Sequence, residues 1–296
     1  MKIAVIGSGY WGSKIASSIN NLGYTSQIID IKTGQTINDI DNKCNAVIVA
    51  TPAQDHFKTV NNVLDKGLHC LVEKPISTNY KDAEILVNKS IQKDLILMTG
   101  HILCYTDFIS ILKDVCNENE IYNIVSRRLN WGRIQYDISP VIHLAPHDIA
   151  VLDYIFNKQE PSDITAKGYR FLAGSYPDYV VADLHYGDFN VQLQLGWYHS
   201  RKIRTITTTT SNGHYIWDDV KNTWQFISHY MEGKYQREDE FRNETIKGWS
   251  ISTPLENEIM HFINCIKNSE QPLTNGEHSL RVTKIVDRIE ECIKTY

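Results

Sequence analysis

Three glycines close to the start of the chain have the spacing of a loop that binds a pyrophosphate. Gly7, Gly9 and Gly12 follow the apolar residues 3–6, which read as a strand, and open a helical pattern. In such a loop the first glycine permits a tight turn, the second lets the backbone approach the phosphates, and the third lets the helix pack against the strand. The helix N-terminus then attracts the phosphate oxygens. The sequence predicts a dinucleotide site here, and a glycine turn that only packs is the alternative.

An aspartate at the end of the second predicted strand indicates which dinucleotide is expected. The carboxylate of Asp30 can accept hydrogen bonds from a ribose diol and would repel a 2′-phosphate. NAD is therefore favoured over NADP. Lys32 leaves the other interpretation open, because a cation so close could lie near a 2′-phosphate.

Two short segments follow the next two predicted strands and hold groups that could move a proton. They are Ala50-Thr51-Pro52 with His56, and Glu73-Lys74-Pro75. Ligands of an open parallel sheet bind beyond the carboxyl ends of its strands. A lysine held in a partly dehydrated pocket can lose its proton more easily and exchange it with a hydroxyl or carbonyl oxygen. Pro75 stands where a constrained peptide bond, cis among its options, would fix the direction of Lys74. A solvated lysine in a turn is the alternative.

The elements that must position these residues alternate along the first hundred residues. Strands are predicted at residues 2–6, 26–30, 46–50, 69–72 and 95–99, and helices at 12–22, 55–66 and 79–92. Several of the strands are continuous Ile, Val and Leu runs, which are typical of a parallel sheet covered on both faces. The fold class is α/β, beginning with a Rossmann-type domain.

The pattern changes after residue 105. A helix is predicted at 106–116, a polar boundary at 117–120, and strands at 121–131, 190–197 and 202–210, with frequent alternation that suits an antiparallel sheet. Residues 236–247 are predicted as loop, and 254–268 and 279–294 as helices. We therefore expect two domains, at 1–118 and 119–296, of which the first binds a dinucleotide.

Composition excludes several classes of protein. The 296 residues suffice for two domains, and 42% hydrophobic with 22% charged residues argue against disordered, collagen-like and coiled-coil chains. A net charge of −5 argues against a nucleic-acid or membrane-surface protein. No signal-peptide pattern precedes the first strand and no apolar stretch is long enough to span a bilayer, so the cytoplasm is expected. The six cysteines are scattered, so neither a zinc site nor a disulfide framework is predicted.

Taken in order, the motifs resemble the Gfo/Idh/MocA family, named for glucose-fructose oxidoreductase and inositol dehydrogenase. The resemblance rests on residues 7–12, Ala50-Thr51-Pro52 with His56, Glu73-Lys74-Pro75, Gly100-His101, residues 144–148, and the segment from Pro254-Leu255-Glu256 to Pro272-Leu273. It implies a Rossmann dinucleotide-binding domain followed by an α/β domain. The open, mostly antiparallel sheet of that second domain forms one wall of the active site, and it often forms the interface of a homo-oligomer, a dimer or a tetramer.

The resemblance also implies roles for particular residues. Lys74 would be the catalytic lysine, and His147 occupies the second catalytic position, where it could act as general acid or base. The implied cofactor contacts are Gly7, Gly9, Tyr10, Trp11, Gly12, Asp30, Ala50, Thr51, Pro52, His56, Glu73 and Lys74. The implied substrate contacts are Tyr105, Arg133, His143 and His147.

One position departs from the family pattern. Many members carry an aspartate four residues before the catalytic histidine, and this chain has His143 there. Either Lys74 and His147 suffice, or His143 contacts the substrate. By residue type alone, His143 and His147 could equally be a metal pair or a stripe on a surface helix; the family needs no metal, and none is expected.

Basic and aromatic residues cluster at two places in the second half. Arg127, Arg128 and Arg133 surround Trp131, and Trp197-Tyr198-His199 precedes Arg201, Lys202 and Arg204. Aromatic faces stack on sugar rings and arginine forks match phosphate oxygens, although an ordinary exposed sheet is the alternative for each residue.

Residues 128–133 and 197–204 resemble those of bacterial family members that act on nucleotide-linked sugars, and this resemblance implies the expected function. The chain is expected to be an NAD(H)-dependent oxidoreductase acting on a ring carbon of a sugar, nucleotide-linked and used in making a surface glycan. A dehydrogenase of free sugars or cyclitols is the nearest alternative. A non-catalytic sensor or assembly protein that binds a dinucleotide is the alternative from another class.

Overall fold

The computed structural model describes residues 1–131, 138–172, 174–228, 244–246 and 253–295. The strands are β1 (Lys2–Ile6), β2 (Thr25–Ile29), β3 (Cys44–Val49), β4 (His69–Glu73), β5 (Leu97–Gly100), β6 (Ile121–Trp131), β7 (Asp163–Tyr169), β8 (Tyr179–His185), β9 (Asn190–Gly196), β10 (Tyr198–Thr210), β11 (Gly213–Asp218), β12 (Thr223–Ser228), β13 (Glu244–Ile246) and β14 (Ile293–Thr295). The helices are α1 (Tyr10–Asn21), α2 (Ala53–Asp65), α3 (Tyr80–Gln92), α4 (Asp107–Glu118), α5 (Pro140–Ile155), α6 (Pro254–Asn268) and α7 (Gly276–Cys292).

The chain forms two compact units. The first contains Met1–Thr106 and Ile251–Lys284, and the second contains Asp107–Ser250 and Ile285–Tyr296. The predicted division into domains 1–118 and 119–296 stays a prediction. In the compact units, α4 groups with the second unit and α6 returns to the first.

The first unit is built on a five-stranded parallel sheet in the order β2-β1-β3-β4-β5. Residues of its strands are buried on both faces, because α2 and α3 cover one face and α1 and α6 cover the other. Phe262 of α6 packs with Ile15 and Ile19 of α1 in the second of these layers. Continuous apolar strands are what such a double-sided sheet requires. The predicted Rossmann-type α/β fold is confirmed.

The second unit holds a nine-stranded sheet among its described residues, in the order β13-β12-β11-β10-β6-β9-β8-β7-β14. Its pairs are antiparallel except β6 with β9 and β14 with β7. Burial alternates along β7, β8 and β9, so one face packs and the other is more open. Helix α5 lies against β8 and β9 on the packed face. The predicted, mostly antiparallel sheet is confirmed.

Three elements differ from the sequence prediction. Helix α5 was not assigned; it begins after Ser139, whose hydroxyl accepts a hydrogen bond from the backbone N–H of Val141 at 3.1 Å. Helix α7 ends at Cys292, and a short strand β14 follows where the helix was expected to continue. Residues 244–246 form the strand β13 inside the predicted loop, while the rest of that loop lies outside the described residues.

Within the described part of the chain, none of the helices has the length and apolarity needed to cross a membrane. The same residues hold no group of three or more His, Cys, Asp or Glu side chains placed to bind a metal ion. All six cysteines are free thiols.

Candidate functional site

The glycine loop of the first unit adopts a backbone that side chains would not tolerate. Gly7 has a φ of 111°, and its N–H donates to the Ile29 carbonyl at 2.9 Å. A Cβ at Gly7 would lie 2.6 Å from the carbonyl oxygen of Ala50, and one at Gly12 would lie 2.0 Å from that of Gly7. Both glycines are therefore required by the turn and by the close approach of α1 to the strand.

The middle glycine is different, because it faces open space. A Cβ at Gly9 would have no neighbour within 4 Å. Gly9 precedes α1, and no side chain caps the first backbone N–H groups of that helix. An uncapped helix N-terminus beside an unfilled space is the arrangement that a pyrophosphate fits. The loop residues present therefore fit a dinucleotide.

Asp30 lies beside this loop at the end of β2. The hydroxyl of Ser8 donates to one carboxylate oxygen, and the backbone N–H of Lys32 donates to the other at 2.9 Å. These hydrogen bonds, the Ser8 bond foremost, hold the pKa of Asp30 below its usual range. The carboxyl group is therefore an ionised acceptor. Lys32 contributes its N–H to this arrangement, and its charge favours the same ionised form.

His56 joins the loops that follow β3 and β4. Its side chain is 1% exposed. Its Nδ1 lies 2.6 Å from the Pro75 carbonyl oxygen and its Nε2 lies 2.9 Å from the Thr51 carbonyl oxygen. Both ring nitrogens thus face backbone carbonyls of the two loops, and the predicted contact of His56 with the cofactor stays a prediction. Burial lowers the pKa of His56, while the two carbonyl oxygens oppose this shift by favouring the protonated ring.

Thr51 occupies the loop between Ala50 and Pro52. Its hydroxyl oxygen is buried and has no hydrogen-bond partner among the described residues. The Ala50 N–H donates to the Ile6 carbonyl at 2.8 Å, which ties the loop to β1 beside the glycine turn. The loop after β3 is therefore adjacent to the phosphate-binding turn.

Glu73 and Lys74 end β4 at the same edge of the sheet. The Lys74–Pro75 peptide bond is cis. The indole N–H of Trp11 donates to the carboxyl group of Glu73, which links α1 to this loop. Burial raises the pKa of Glu73 to about 7, against the opposing effects of Trp11 and Lys74. Lys74 is half-buried and close enough to Glu73 and His56 to affect both electrostatically.

Tyr105 also belongs to the first unit, where its hydroxyl already has a partner. That oxygen lies 2.8 Å from the Thr274 hydroxyl, which donates to the Thr99 carbonyl at 2.7 Å. Burial raises the pKa of Tyr105 well above its usual value. These contacts join β5 to the segment after α6. The predicted contact of Tyr105 with substrate stays a prediction.

The second unit carries the two histidines on α5. His143 and His147 lie one turn apart, so they share one side of the helix. The ring of His143 packs against that of Trp197, with centroids 5.3 Å apart. Both histidines are half-buried. The structure thus supports the helical interpretation of their spacing, and their catalytic and substrate roles stay predictions.

One arginine assigned to the substrate wall has a different role. Arg128 forms two hydrogen bonds to the carboxylate of Asp148, at 2.9 and 2.7 Å, and the two side chains are 7% and 1% exposed. The pair fastens β6 to α5 inside the second unit. Arg128 is therefore structural and is not available to a phosphate. Arg127, its neighbour in β6, is exposed.

The remaining wall residues divide between exposed and buried. Trp131 is 64% exposed and Tyr198 is 41% exposed, with ring centroids 5.1 Å apart, whereas Trp197 is only 4% exposed. Trp197 therefore packs inside the unit and cannot offer a face to a sugar. Arg133 lies outside the described residues. Trp131 and Tyr198 are the aromatic surface that this wall retains.

Comparison with known proteins agrees with this geometry. Residues 24–101 match the family described as oxidoreductase family, NAD-binding Rossmann fold, under the name GFO_IDH_MocA. The match lies within the first unit and extends from β2 to β5. The resemblance to the Gfo/Idh/MocA family that the motifs indicated is confirmed.

Two curated relatives act on sugars according to their names. The chain is 28% identical over 123 residues to UDP-N-acetylglucosamine 3-dehydrogenase of Acidithiobacillus ferrooxidans, which is 42% of this chain and 39% of that protein. It is 27% identical over 155 residues to 2,7-anhydro-N-acetylneuraminate hydratase of Mediterraneibacter gnavus, 46% of this chain and 41% of the relative. Each match spans about two fifths of the relative's length.

Solved structures share the fold over nearly the whole chain. UDP-N-acetylglucosamine 3-dehydrogenase GnnA of A. ferrooxidans superimposes with a TM-score of 0.88 at 20% identity, covering 99% of this chain and 97% of that one. An oxidoreductase of Agrobacterium radiobacter, solved with NAD+, L-tartaric acid and magnesium, has a TM-score of 0.80 at 14% identity and covers 99% and 96%. At these identities the likeness establishes the fold alone.

Proposed function

We propose that this chain is an NAD(H)-dependent oxidoreductase that moves a hydride to or from a ring carbon of a sugar. The observation that carries the proposal is the edge of the parallel sheet in the first unit. There the glycine turn, the ionised Asp30 and the half-buried Lys74 follow β1, β2 and β4, within the strand order β2-β1-β3-β4. Bound at such an edge, NAD supplies the hydride acceptor or donor, and the protein supplies binding, orientation and proton transfer.

Backbone and side-chain groups would bind different parts of the dinucleotide. The N–H groups at the start of α1 would hold the pyrophosphate, and the Asp30 carboxylate would accept from the hydroxyls of the adenosine ribose. The hydrogen bonds that keep Asp30 ionised also set its direction. A 2′-phosphate would bring a second negative charge against this carboxylate, so we propose NAD over NADP.

Proton transfer is assigned to Lys74 and His147. Oxidation of a sugar hydroxyl releases its proton as the hydride leaves the carbon, and the reverse reaction returns it. Lys74 Nζ, on the loop that Trp11 and His56 hold in place, would take or give that proton. His147 on α5 would serve as the second group, because an imidazole titrates near neutral pH.

A nucleotide-linked sugar is the proposed substrate. Two observations support this class: the exposed rings of Trp131 and Tyr198, which suit stacking on a sugar or base, and the name of the A. ferrooxidans relative. We place such a reaction in the making of a surface glycan.

A turnover assay tests the proposal. NAD+ and UDP-N-acetylglucosamine are mixed with the protein, other UDP-sugars and free sugars or cyclitols are tried in parallel, and NADH absorbance is followed. We expect NADH with at least one UDP-sugar. Lys74→Met should reduce turnover by roughly a hundredfold or more, as expected when a general acid or base is lost, while NADH affinity changes little.

Lys81→Met is the matched control, because Lys81 is an exposed lysine on α3. It should keep the turnover of the unaltered protein. Turnover by Lys74→Met equal to that of the control would refute the assigned proton transfer. NADH formation from free sugars alone would replace the proposed substrate class.

A further inference from the structure

A second carboxyl group lies near Glu73 and has no role in the chemistry assigned so far. Glu258 stands on the buried face of α6, among Leu255, Ile259 and Phe262, and is 1% exposed. Its Oε1 atom has no hydrogen-bond partner among the described residues. An ionised carboxylate buried without partners is strongly unfavourable, and the group avoids that cost by keeping its proton.

Glu73 has the donors that Glu258 lacks. The Trp11 indole N–H and the backbone N–H of Lys74 both donate to its carboxyl group. Room for that group exists because the paired residue on β5 is Gly100, where a Cβ would lie 3.3 Å from Glu73 Oε1. Two donors and a nearby ammonium favour the ionised form of Glu73. The two carboxyls are therefore unequal, and the negative charge of the pair belongs to Glu73.

The charged and titratable groups around the pair come from four elements. They are Lys74 on the loop after β4, Tyr105 before α4, Glu258 on α6, and Glu73 itself at the end of β4. Burial is the main cause that raises the pKa of Glu73 to about 7 and that of Glu258 well above its usual value. Burial, and to a smaller extent Glu258, raises the pKa of Tyr105 as well. Tyr105 and Glu258 therefore stay neutral while Glu73 titrates.

We infer that Glu73 is a positioning residue that gives the proposed site two charge states, one with and one without an anion next to Lys74, while Glu258 stays a neutral acid. Ionised Glu73 attracts the Lys74 ammonium and accepts the Trp11 N–H, which fixes the direction of the lysine. Protonated Glu73 loses the attraction. The inference rests on the proposed function, since it assigns how the charge state of that site is set.

The titration can be measured without any turnover. Full-length protein labelled with 13C at glutamate carboxyls is titrated by NMR, alone and as Glu73→Gln, Glu258→Gln and the exposed control Glu118→Gln. We expect one carboxyl that titrates near pH 7 in the unaltered protein, absent from Glu73→Gln and present in the control. Because Glu258 is already neutral, Glu258→Gln should leave that midpoint within about half a pH unit.

The result that overturns the inference is equally specific. If no glutamate titrates near pH 7, or if Glu258→Gln moves the midpoint to the ordinary glutamate range, Glu73 and Glu258 do not divide the charge as stated.

Stability gives a second measure if spectra are crowded. A raised acid pKa means that the folded state holds its proton longer than the unfolded state, so stability falls as pH rises from about 4.5 to 7. Glu73→Gln should lessen this fall, and an unchanged fall would contradict the inference.

The pH profile of turnover, measured with whichever sugar is a substrate, shows whether the ionisation of Glu73 affects the reaction. The turnover of the unaltered protein should fall on the acid side of its pH profile, with a midpoint near pH 7. The turnover of Glu258→Gln should fall in the same way. Glu73→Gln should shift the midpoint of that limb by more than about half a pH unit, and Glu73→Asp should restore it. An unchanged midpoint in Glu73→Gln overturns the positioning role, whereas a normal NMR titration without any turnover contradicts the proposed function and leaves the two charge states standing.

Discussion

We propose that Asp30 determines the choice between NAD and NADP. Its carboxylate is kept ionised by Ser8 and by the N–H of Lys32, and it lies next to the loop that would hold the pyrophosphate. Such charge-assisted acceptors bind a ribose diol well and repel a 2′-phosphate. The preference for NAD over NADP therefore stays a proposal that rests on Asp30.

The first prediction follows from that arrangement. Asp30→Ala should reduce the preference for NADH over NADPH by roughly tenfold to a hundredfold, because the ribose acceptor and the repulsion are both removed. Fluorescence titration of each cofactor into each protein measures it. The exposed Asp114→Ala should retain the preference. Tighter binding of NADPH than NADH by the unaltered protein would show that Lys32, rather than Asp30, determines the choice.

The second prediction concerns the two histidines of α5. If His147 is the partner of Lys74, His147→Asn should lower turnover strongly, whereas His143→Asn should act mainly on KM. Turnover and KM are compared over about pH 5 to 9, where imidazole titrates. Equal losses of turnover would mean that the imidazoles act as a coupled unit. In that case His143→Asp, which restores the common family pattern, should recover activity; its failure would show that this pocket depends on histidine.

The elements of the second unit are held together by a contact that sequence could not reveal. In the sequence, Arg128 is a cation of the expected substrate wall and Asp148 follows His147. In the structure they form a buried pair with two hydrogen bonds between β6 and α5. Removing one member leaves the other charge buried and unpaired, which is costly. The pair also fixes the residue next to His147.

Stability measurements test the role of this pair. Arg128→Met should lower the free energy of unfolding by about 3–5 kcal/mol. Arg127→Met, on the exposed side of the same strand, should change it by less than about 0.5 kcal/mol. Urea unfolding followed by circular dichroism gives both values. A loss at Arg128 no larger than at Arg127 would contradict a structural role for the pair.

Local patterns predicted most of the elements and missed those that depend on distant partners. The strands of the first unit were readable because each is a short, continuous apolar run. Helix α5 was not, since it is apolar on most sides and contains Pro146, so it lacks the helical period and carries a breaker. Glu258 gave no signal, because a glutamate in an amphipathic helix normally faces water. The sequence also does not show that a backbone carbonyl lies at each ring nitrogen of His56.

We expect copies of the chain to associate through the open face of the nine-stranded sheet. Val125 lies on that side of β6, half-buried and flanked by Thr207 of β10 and Gln192 of β9. An apolar centre with polar neighbours suits an interface between identical subunits. Light scattering should therefore report a dimer or tetramer.

A charge at the centre of that face should dissociate the assembly. We expect Val125→Arg to be a monomer and Val220→Arg, at an exposed position after β11, to assemble as the unaltered protein does. A monomeric unaltered protein, or a Val125→Arg variant of unchanged mass, would show that the sheet does not serve as the interface.

Mass spectrometry of the intact protein can show whether the first unit binds NAD(H) for reaction with a nucleotide-linked sugar, as we propose. Protein as purified, and protein incubated with equal concentrations of NAD+ and NADP+ together with UDP-N-acetylglucosamine, is analysed under native conditions and its bound small molecules are then released and identified. We expect NAD or NADH bound to the chain, with a nucleotide sugar retained beside it. Retention of NADP(H) alone, or of no dinucleotide under either condition, would contradict it.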